Sequence, residues 1–496
     1  MTSQLKDVSS ATRSFIERTH HILIDGDWRQ PRGQSNDVID PSTGETISSF
    51  NGSSPEDVDD AITAARNAFD HGDWRHMAPA ARAKVLWRIA DLIEENKQEL
   101  AELEALDGGK LLGGALNGEA PAAAEAFRYH AGWCTKIEGR TFKPSIPGLD
   151  LEGQTRLEPI GVAGLITPWN GALVMGAWKL APALASGCTL VLKPAENTTL
   201  STLRLGELIC EAGVPEGVVN IVIGSGSTVG AILGEDARID KVSFTGSTRT
   251  ARSLIEASKG NLKKLSLELG GKSPVLIFDD ANLDDAVNGA ADGIFSNAGQ
   301  VCVAGSRILI QKSIYDRVVK GLCDKARSIK VGRTLSSSSQ MGPLISAQHR
   351  DSVERYVQQG VADGAKLLCG GERVEGPGYF FEPTVLADET TRSCVWSDEV
   401  FGPVAVVTPF DDEAHALRLA NDSNYGLAAS VWTSNTSRAQ RLTREIKAGI
   451  VWVNCHGIPD MAMPIGGYKQ SGWGREHGWK GLEAYLEHKS IMHRID

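Results

Sequence analysis

Cysteine is sparse in this sequence, and its spacing excludes two classes of protein. Eight cysteines occur among 496 residues, and no two of them form a CxxC pair. A zinc site or a disulfide framework requires cysteines that are clustered or regularly spaced. The sequence therefore predicts free thiols, no bound metal, and a protein of a reducing compartment, the cytoplasm.

Basic runs and long apolar runs are also scarce. The net charge is −11 and no basic run stands out, which argues against a nucleic-acid partner. The first 20 residues are polar and charged, without the apolar core of a signal peptide. Residues 159–178 carry no charge, but two prolines, several glycines and Asn170 favour a buried strand, turn and helix over a membrane span. We therefore expect no membrane partner.

What the sequence does contain is an alternation of short apolar strands with helices. The alternation starts at Gly161 and resumes after Gly270 and Gly271. It implies parallel sheets with right-handed crossovers, an architecture that binds nucleotides. Before it, one long helix is predicted over 79–107. So long a chain needs more than one core, and we expect an α/β protein of two or three domains.

One cysteine lies between two valines on a glycine-flanked turn, residues 299–305, after an amphipathic segment. The thiol of Cys302, held by backbone among small neighbours, is open to attack a carbonyl carbon. It would need activation, because the thiolate is the nucleophile and a free thiol titrates near about 8.5. Alternatively, Cys302 is a buried cysteine that acts as a small hydrophobe. Its partners elsewhere in the chain favour the first interpretation.

Two further stretches offer groups that a thiol nucleophile needs. Asn170 follows a predicted strand, where its side-chain amide could donate to a developing oxyanion. Glu268 precedes a Gly-Gly turn and is a candidate general base. Taken singly, Asn170 could cap a helix and Glu268 could be a solvated loop acid.

Two other stretches offer groups for a ligand. Lys193 and Glu196 end a predicted strand, where open α/β sheets bind ligands. Glu399 and Phe401 place a carboxylate and an aromatic ring two residues apart. The first pair could instead be surface charges, and Phe401 could belong to the core. A glycine series at 224, 226 and 230 departs from the usual dinucleotide spacing and is weak evidence alone.

Jointly these motifs resemble the aldehyde dehydrogenase superfamily over nearly the whole chain. The resemblance extends through the segments 244–247, 421–429 and 464–472. It implies a Rossmann-like parallel-sheet cofactor domain, an α/β catalytic domain and a small β oligomerisation element. The limits that it implies are 20–137 and 159–268 for the NAD-binding domain, 269–465 for the catalytic domain, and 138–158 and 480–496 for the oligomerisation element.

The resemblance implies a role for each candidate catalytic residue. Cys302 matches the nucleophile that forms a thiohemiacetal with an aldehyde and then a thioester. Asn170, with the Cys302 N–H, matches the oxyanion hole, and Glu268 matches the base that activates water to hydrolyse the thioester. Glu476 and Lys179 resemble a secondary proton relay. The implied activity is the NAD-dependent oxidation of an aldehyde to a carboxylic acid.

The resemblance also implies a cofactor site. Lys193 and Glu196 match residues that bind the adenine-ribose hydroxyls, and a carboxylate there repels a 2′-phosphate, so we predict NAD, with NADP as a poorer alternative. Ser247 resembles a pyrophosphate contact at a helix start. Glu399 resembles the nicotinamide-ribose ligand, and Phe401 the ring that positions the nicotinamide. The other implied cofactor positions are Thr167, Trp169, Gly226, Gly230 and Phe244.

The substrate tunnel that the resemblance implies is short of large rings. Its predicted lining is Ala124, Gly171, Met175, Trp178, Ser296, Val301, Val303, Pro459, Asp460 and Ile465. Reduced bulk there favours a bulky neutral aldehyde, aromatic or long-chain. Asp460 leaves an alternative open: it could pair with a substrate amine, as in an aminoaldehyde or γ-glutamylaminobutyraldehyde-type dehydrogenase, or it could hold its loop through main-chain N–H groups.

The sequence disfavours two rival functions. A CoA-acylating semialdehyde dehydrogenase is disfavoured by Glu268 as a water-activating base. A non-enzymatic use of the fold is disfavoured by the complete set of Cys302, Glu268, Asn170 and Glu399. The resemblance further implies a homodimer or a homotetramer.

Overall fold

The structure is a computed structural model, and it describes residues 4–496. Its strands in chain order are β1 Ile22–Ile24, β2 Asp27–Arg29, β3 Ser35–Asp40, β4 Glu45–Asn51, β5 Thr141–Phe142, β6 Leu151–Pro159, β7 Val162–Ile166, β8 Thr189–Lys193, β9 Val219–Ile221, β10 Lys241–Thr245, β11 Lys264–Glu268, β12 Pro274–Ile277, β13 Arg307–Gln311, β14 Lys366–Cys369, β15 Thr384–Ala387, β16 Val404–Phe410, β17 Ala428–Trp432, β18 Ile450–Val453, β19 Gly472–Trp473 and β20 Leu486–Arg494.

The α-helices in chain order are α1 Ser10–Glu17, α2 Pro55–His71, α3 Pro79–Glu95, α4 Lys97–Asp107, α5 Leu112–Gly114, α6 Ala120–Ala131, α7 Ala172–Ser186, α8 Leu200–Glu211, α9 Ala231–Glu235, α10 Thr248–Ala257, α11 Leu283–Phe295, α12 Tyr315–Ser328, α13 Ala347–Ala362, α14 Cys394–Ser397, α15 Glu413–Asn421, α16 Thr436–Glu445 and α17 Gly478–Glu483. The predicted single helix over 79–107 is wrong. Asn96 separates α3 from α4. Its main-chain N–H makes the last helical bond of α3, to the Leu92 carbonyl, and its side-chain Nδ2 donates to the same carbonyl, a local bond that competes with continuation of the helix.

The first sheet has the strand order β19-β11-β10-β7-β8-β9-β1-β2. Its five central strands are parallel, and β19, β1 and β2 add antiparallel edges. The register pairs Ile166 with both Lys193 and Phe244, and pairs Thr245 with Glu268. Four strands therefore end side by side, and open α/β sheets bind ligands beyond such carboxyl ends.

The second sheet has the order β14-β15-β16-β13-β12-β17-β18 and is parallel except for β14. Buried apolar side chains form one large cluster around the first sheet and another around the second, the second drawn from residues 275–448. On the ground of these two cores we propose a division of the chain near residue 269.

A third sheet, β20-β6-β5, joins the C-terminal strand to the segment before β7. β6 and β20 are antiparallel, with Leu151 opposite Arg494 and Pro159 opposite Leu486. The C-terminal segment thus contributes a strand, β20. The uncharged run 159–178 folds as β7, a turn and the start of α7, as predicted. No helix in residues 4–496 has both the length and the apolar content to cross a membrane.

Candidate active site

A cavity of about 280 Å³ lies where the carboxyl ends of the first sheet face the second sheet. The part of the chain around the first sheet contributes the residues after β7, β10 and β11. The part around the second sheet contributes the Cys302 turn and the start of α13. The residues lining it are Pro168, Trp169, Asn170, Met175, Thr245, Gly246, Ser247, Glu268, Leu269, Gly270, Cys302, His349, Glu399 and Phe401. The structure thus brings together three predicted catalytic residues, Cys302, Asn170 and Glu268.

The turn that carries Cys302 is held by its main chain and by one buried side chain. Gly299 has φ +71°, and a Cβ at this position would overlap the carbonyl of Gly402, so glycine is required. Gln300 is fully buried, and its Oε1 accepts from the Ile345 N–H at 2.9 Å. Asn170 Nδ2 donates to the Gln300 carbonyl at 3.0 Å. The position of the thiol is therefore set by both halves of the molecule.

The Cys302 thiol is protonated at neutral pH in this environment. Burial raises its pKa to about 12, and the nearby carboxylates of Glu399 and Glu268 add to the rise. The side chain is nevertheless half-buried and reaches the cavity. Because the thiolate is the nucleophile, the thiol must pass its proton to a base before it attacks.

The glycine pair after β11 allows Glu399 and the Cys302 turn to approach the first sheet. The Gly271 N–H donates to Glu399 Oε1 at 2.8 Å. A Cβ on Gly270 would overlap the Glu399 carboxylate, and a Cβ on Gly271 would lie 2.5 Å from the Cys302 carbonyl oxygen. Burial raises the pKa of Glu399 to about 7, opposed by the Gly271 hydrogen bond and by Lys272.

Glu268 ends β11 as a buried carboxyl group. Within residues 4–496, its Oε1 has no hydrogen-bond partner. Burial raises the pKa of Glu268 well above its ordinary value, and the charge of Glu476 raises it further, while Lys179 and Arg475 oppose the rise. A carboxyl group with a raised pKa can accept and return a proton near neutral pH, as a general base requires.

Behind Glu268, the predicted relay residues are in direct contact. Lys179 is fully buried, and its Nζ forms an ion pair with Glu476 Oε1. The same Nζ lies 3.2 Å from Ser243 Oγ. This pair provides a charged, hydrogen-bonded group whose field acts on Glu268.

The predicted cofactor residues fall into two groups. Trp169, Ser247, Glu399 and Phe401 line the cavity. Lys193 is buried at the end of β8, where burial lowers its pKa to about 8 against the opposing charge of Glu196.

Gly226 and Gly230 also belong to the second group. A Cβ on Gly230 would lie 3.9 Å from Lys193 Cδ, whereas a Cβ on Gly226 would have no neighbour within 4 Å. Ser247 is the N-cap of α10, and its Oγ accepts from the Thr250 N–H at 3.2 Å. The remaining two predicted positions, Thr167 and Phe244, are buried at the ends of β7 and β10.

The predicted tunnel residues are less uniform. Met175 lines the cavity, and a Cβ on Gly171 would lie 3.3 Å from its Cγ. Trp178 is half-buried, with its ring 4.2 Å from that of His477 at 84°. Ala124 is fully buried in the first core and presents no surface to a tunnel. The others range from half-buried (Val301, Val303, Ile465) to exposed (Ser296, Pro459, Asp460).

Asp460 acts on its own loop. Its Oδ1 accepts from the Ala462 N–H at 2.7 Å, and its carbonyl accepts from the Met463 N–H at 3.1 Å. These bonds agree with the loop-holding role among the two that the sequence left open. His456 lies close by, with Nε2 2.9 Å from the Val303 carbonyl oxygen and Nδ1 3.0 Å from Ser430 Oγ.

Six residues that line the cavity were not among the predicted site residues: Pro168, Thr245, Gly246, Leu269, Gly270 and His349. His349 lies in the first turn of α13, and Thr245 ends β10. Thr245 belongs to the segment 244–247, which contributes to the family resemblance, so the sequence contained a signal for this position. For His349 there was none, because its partners Trp169 and Phe401 are distant in sequence. Across the described residues 4–496, no three His, Cys, Asp or Glu side chains gather so as to hold a metal ion.

Comparisons with known proteins agree with this geometry. The model of the aldehyde dehydrogenase family matches residues 28–491. The chain is 44% identical to a phenylacetaldehyde dehydrogenase of Pseudomonas fluorescens over 95% of each chain. It is 43% identical to a betaine aldehyde dehydrogenase of Bacillus subtilis (strain 168), over 95% of this chain and 96% of that one.

A solved structure shows the same architecture. The NAD+ complex of an aldehyde dehydrogenase from Bacillus cereus superposes with a TM-score of 0.96, at 43% identity over 99% of each chain. The chain belongs to the aldehyde dehydrogenase family. The predicted family, fold class and oxidoreductase class are thereby confirmed.

Proposed function

We propose that this protein oxidises a bulky neutral aldehyde, aromatic or long-chain, to its carboxylic acid with NAD. The observation that carries the proposal is the convergence of Cys302, Asn170 and Glu268 on one cavity. A nucleophile, an amide donor and a buried carboxyl group are the three groups that thioester chemistry on an aldehyde needs.

Residues at and beside this cavity offer contacts for a dinucleotide. Thr167 and Thr245 carry buried hydroxyl oxygens that have no hydrogen-bond partner in the described part of the chain. Open space lies in front of Gly226, and Lys193 lies beside Gly230. The residues proposed to hold NAD are therefore Lys193 and Glu196 at the adenine ribose, Ser247 at the pyrophosphate, and Glu399 and Phe401 at the nicotinamide end. When bound, NAD accepts the hydride that leaves the substrate carbon.

The first half of the reaction forms a carbon–sulfur bond. Cys302 loses its proton to solvent, and Sγ attacks the aldehyde carbon to give a thiohemiacetal. The carbonyl oxygen becomes an oxyanion, which accepts hydrogen bonds from Asn170 Nδ2 and from the Cys302 N–H. Collapse of this oxyanion, with loss of hydride from carbon, leaves a thioester on Cys302. Each donor of such a hole is typically worth about 2.7–4 kcal/mol.

The second half breaks the carbon–sulfur bond. Glu268 accepts a proton from a water molecule, whose oxygen attacks the thioester carbon and releases the carboxylic acid and the Cys302 sulfur. The raised pKa of Glu268 suits it to this exchange. We propose that the Lys179–Glu476 pair receives the proton from Glu268 and passes it on.

Size and polarity near the thiol support the bulky neutral substrate. Gly171 adds no side chain next to Met175, and the loop that carries Asp460 exposes the apolar side chains of Ile458 and Met463. Asp460 is engaged by the main chain of its own loop. One observation favours an aminoaldehyde instead: the exposed carboxylate of Asp460 is available to an ammonium group.

A panel of aldehydes tests the substrate class. We expect kcat/KM to be highest for phenylacetaldehyde and for a long aliphatic aldehyde, and higher with NAD than with NADP. An Asp460→Asn variant should retain these values. If an aminoaldehyde gives the highest kcat/KM, and Asp460→Asn selectively lowers it, the aminoaldehyde alternative is correct. Formation of acyl-CoA on addition of coenzyme A would indicate the acylating type.

The nucleophile is tested by Cys302→Ala, with Cys455→Ala as the matched control. Cys455 is also half-buried and, like Val303, packs against the cluster of Ala428, Ile450 and Trp452. We expect Cys302→Ala to abolish NADH formation while calorimetry still detects NAD binding, and Cys455→Ala to remain active. Comparable turnover by Cys302→Ala would contradict the assignment.

We also propose that the third sheet joins two copies of the chain. It and the loop beside it expose the apolar side chains of Phe142, Ile146, Leu149, Met492 and Ile495. Exposed apolar surface of this kind marks protein contacts. Light scattering should give a dimer or a tetramer, and Met492→Asp should lower the mass. Val361→Asp, at an exposed apolar position on α13, should not.

A further inference from the structure

The imidazole of His349 is bonded to the main chain of Phe401. His349 Nε2 lies 2.7 Å from the Phe401 carbonyl oxygen. Because a carbonyl only accepts, Nε2 carries the proton and donates. Burial lowers the pKa of His349, so the ring is neutral at pH 7 and keeps this donor. The bond ties the first turn of α13 to the segment after α14.

The residue that accepts this bond has an unfavourable backbone. Phe401 has φ +57°, the left-handed region that a bulky side chain rarely adopts. Such a conformation persists only where surrounding contacts fix it, and these positions cluster at functional sites. The next residue, Gly402, is wedged against α13, where a Cβ would lie 2.6 Å from Val353 Cγ2.

Three rings at this point form one wall of the cavity. The Trp169 ring lies 5.5 Å from that of His349 and 5.3 Å from that of Phe401, both edge-to-face. The ring centroids of His349 and Phe401 are 6.2 Å apart. All three line the cavity that Cys302 reaches. A change in the Phe401 main chain would therefore move a ring next to the reacting sulfur.

We propose that His349 is a positioning residue for the cofactor, which holds Phe401 in its left-handed conformation and so fixes the ring against which the nicotinamide end binds. The inference rests on the proposed function, since it takes Phe401 as a cofactor contact. The imidazole has no part in starting its own helix. Ser346 is the N-cap of α13, and its Oγ accepts from the His349 N–H at 3.1 Å. Substitution of the side chain therefore leaves the helix start intact.

A second histidine provides the matched control. His456 is also half-buried with a lowered pKa, and its Nε2 lies 2.9 Å from the Val303 carbonyl oxygen. It bonds to the residue that follows Cys302, whereas His349 bonds to Phe401. The two histidines therefore make the same kind of bond to two different segments of the site.

The experiment compares His349→Leu, His349→Gln and His456→Gln in the full-length protein. Calorimetry gives the Kd for NAD, and steady-state rates give the KM for an aldehyde. We expect His349→Leu to raise the Kd for NAD about three- to ten-fold, the effect of one lost hydrogen bond, with the aldehyde KM within about twofold. His349→Gln, which retains an N–H donor, should restore most of the affinity. His456→Gln should leave the Kd for NAD unchanged.

An unchanged Kd for NAD in His349→Leu would overturn the inference, and so would equal losses in NAD and aldehyde binding. If His349→Leu does not fold, His349→Asn, with a shorter amide, replaces it in the same comparison. Failure of the proposed function is distinguishable, because the unmodified protein would then neither bind NAD nor oxidise aldehydes. Failure of the inference alone leaves both properties intact.

Discussion

The side-chain amide of Asn170 donates a hydrogen bond to the main-chain carbonyl of Gln300, with Nδ2 3.0 Å from the oxygen. The bond joins the end of β7 to the turn that carries Cys302. An amide nitrogen has two N–H donors, so one holds the turn while the other remains for a developing oxyanion. A single side chain thereby positions the nucleophile and completes the proposed oxyanion hole.

Asn170→Ala should remove both contributions. We expect kcat to fall about 10²- to 10³-fold, as for loss of one oxyanion donor, while the Kd for NAD stays near that of the unmodified protein. Steady-state rates and calorimetry check this. A loss of less than about tenfold would show that another donor stabilises the oxyanion.

Alkylation of the cofactor-free protein reports the protonation of Cys302. Because the pKa of this thiol is raised to about 12, first by burial and then by Glu399 and Glu268, its thiolate fraction rises about tenfold per pH unit below that value. The rate with iodoacetamide at Cys302 should therefore climb from pH 7 to 10 without a plateau. Glu399→Gln removes one negative charge, lowers the pKa and should raise the rate at pH 8. A plateau in the alkylation rate below pH 9 would contradict the raised pKa of Cys302.

The Glu399 carboxylate lies directly over Gly270. Gly270→Ala should displace Glu399 or the β11 turn, because the added Cβ overlaps that carboxylate. We expect a loss of about 1–3 kcal/mol in the free energy of unfolding, measured by denaturant titration, together with reduced kcat/KM. Gly260→Ala is the control, since a Cβ there has no neighbour within 4 Å. Equal stability of the two variants would show that Glu399 moves aside from the added Cβ at little cost in the free energy of unfolding.

Glu196 is expected to select NAD against NADP. A carboxylate repels a 2′-phosphate, by about 1 kcal/mol at 4 Å in water and about 4 kcal/mol at an effective dielectric constant of 20. Glu196→Gln should therefore improve kcat/KM for NADP about tenfold or more while NAD loses a hydrogen-bond acceptor. An unchanged NADP/NAD ratio would show that the 2′ position lies away from Glu196.

Features of the fold that depend on neighbouring residues could be predicted from the sequence, whereas features that depend on residues far apart in the chain could not. Strands β7, β8 and β10 were predicted because their apolar runs and strand-end motifs are local patterns. The hairpin β3–β4 was not predicted, since its strands Ser35–Asp40 and Glu45–Asn51 are largely polar. The break at Asn96 depends on one side-chain bond inside an otherwise helical pattern.

The same limit applies to the site. Glu268 and Cys302 stand in motifs, and the resemblance identified them directly. The approach of Glu399 to Gly271 and the bond from His349 to Phe401 exist only after the two sheets pack together. No local pattern encodes them. The burial of Ala124 is likewise decided by packing in the first core.

The most direct test of the account is the intact mass of Glu268→Gln after reaction with an aromatic aldehyde and NAD. With no base to activate water, general acid–base contributions of about 10²- to 10⁴-fold are lost and the thioester should accumulate. The account predicts one added acyl group, located by peptide mapping on Cys302, with a burst of NADH and little turnover. Full turnover without an adduct, or an acyl group on another cysteine, would contradict it.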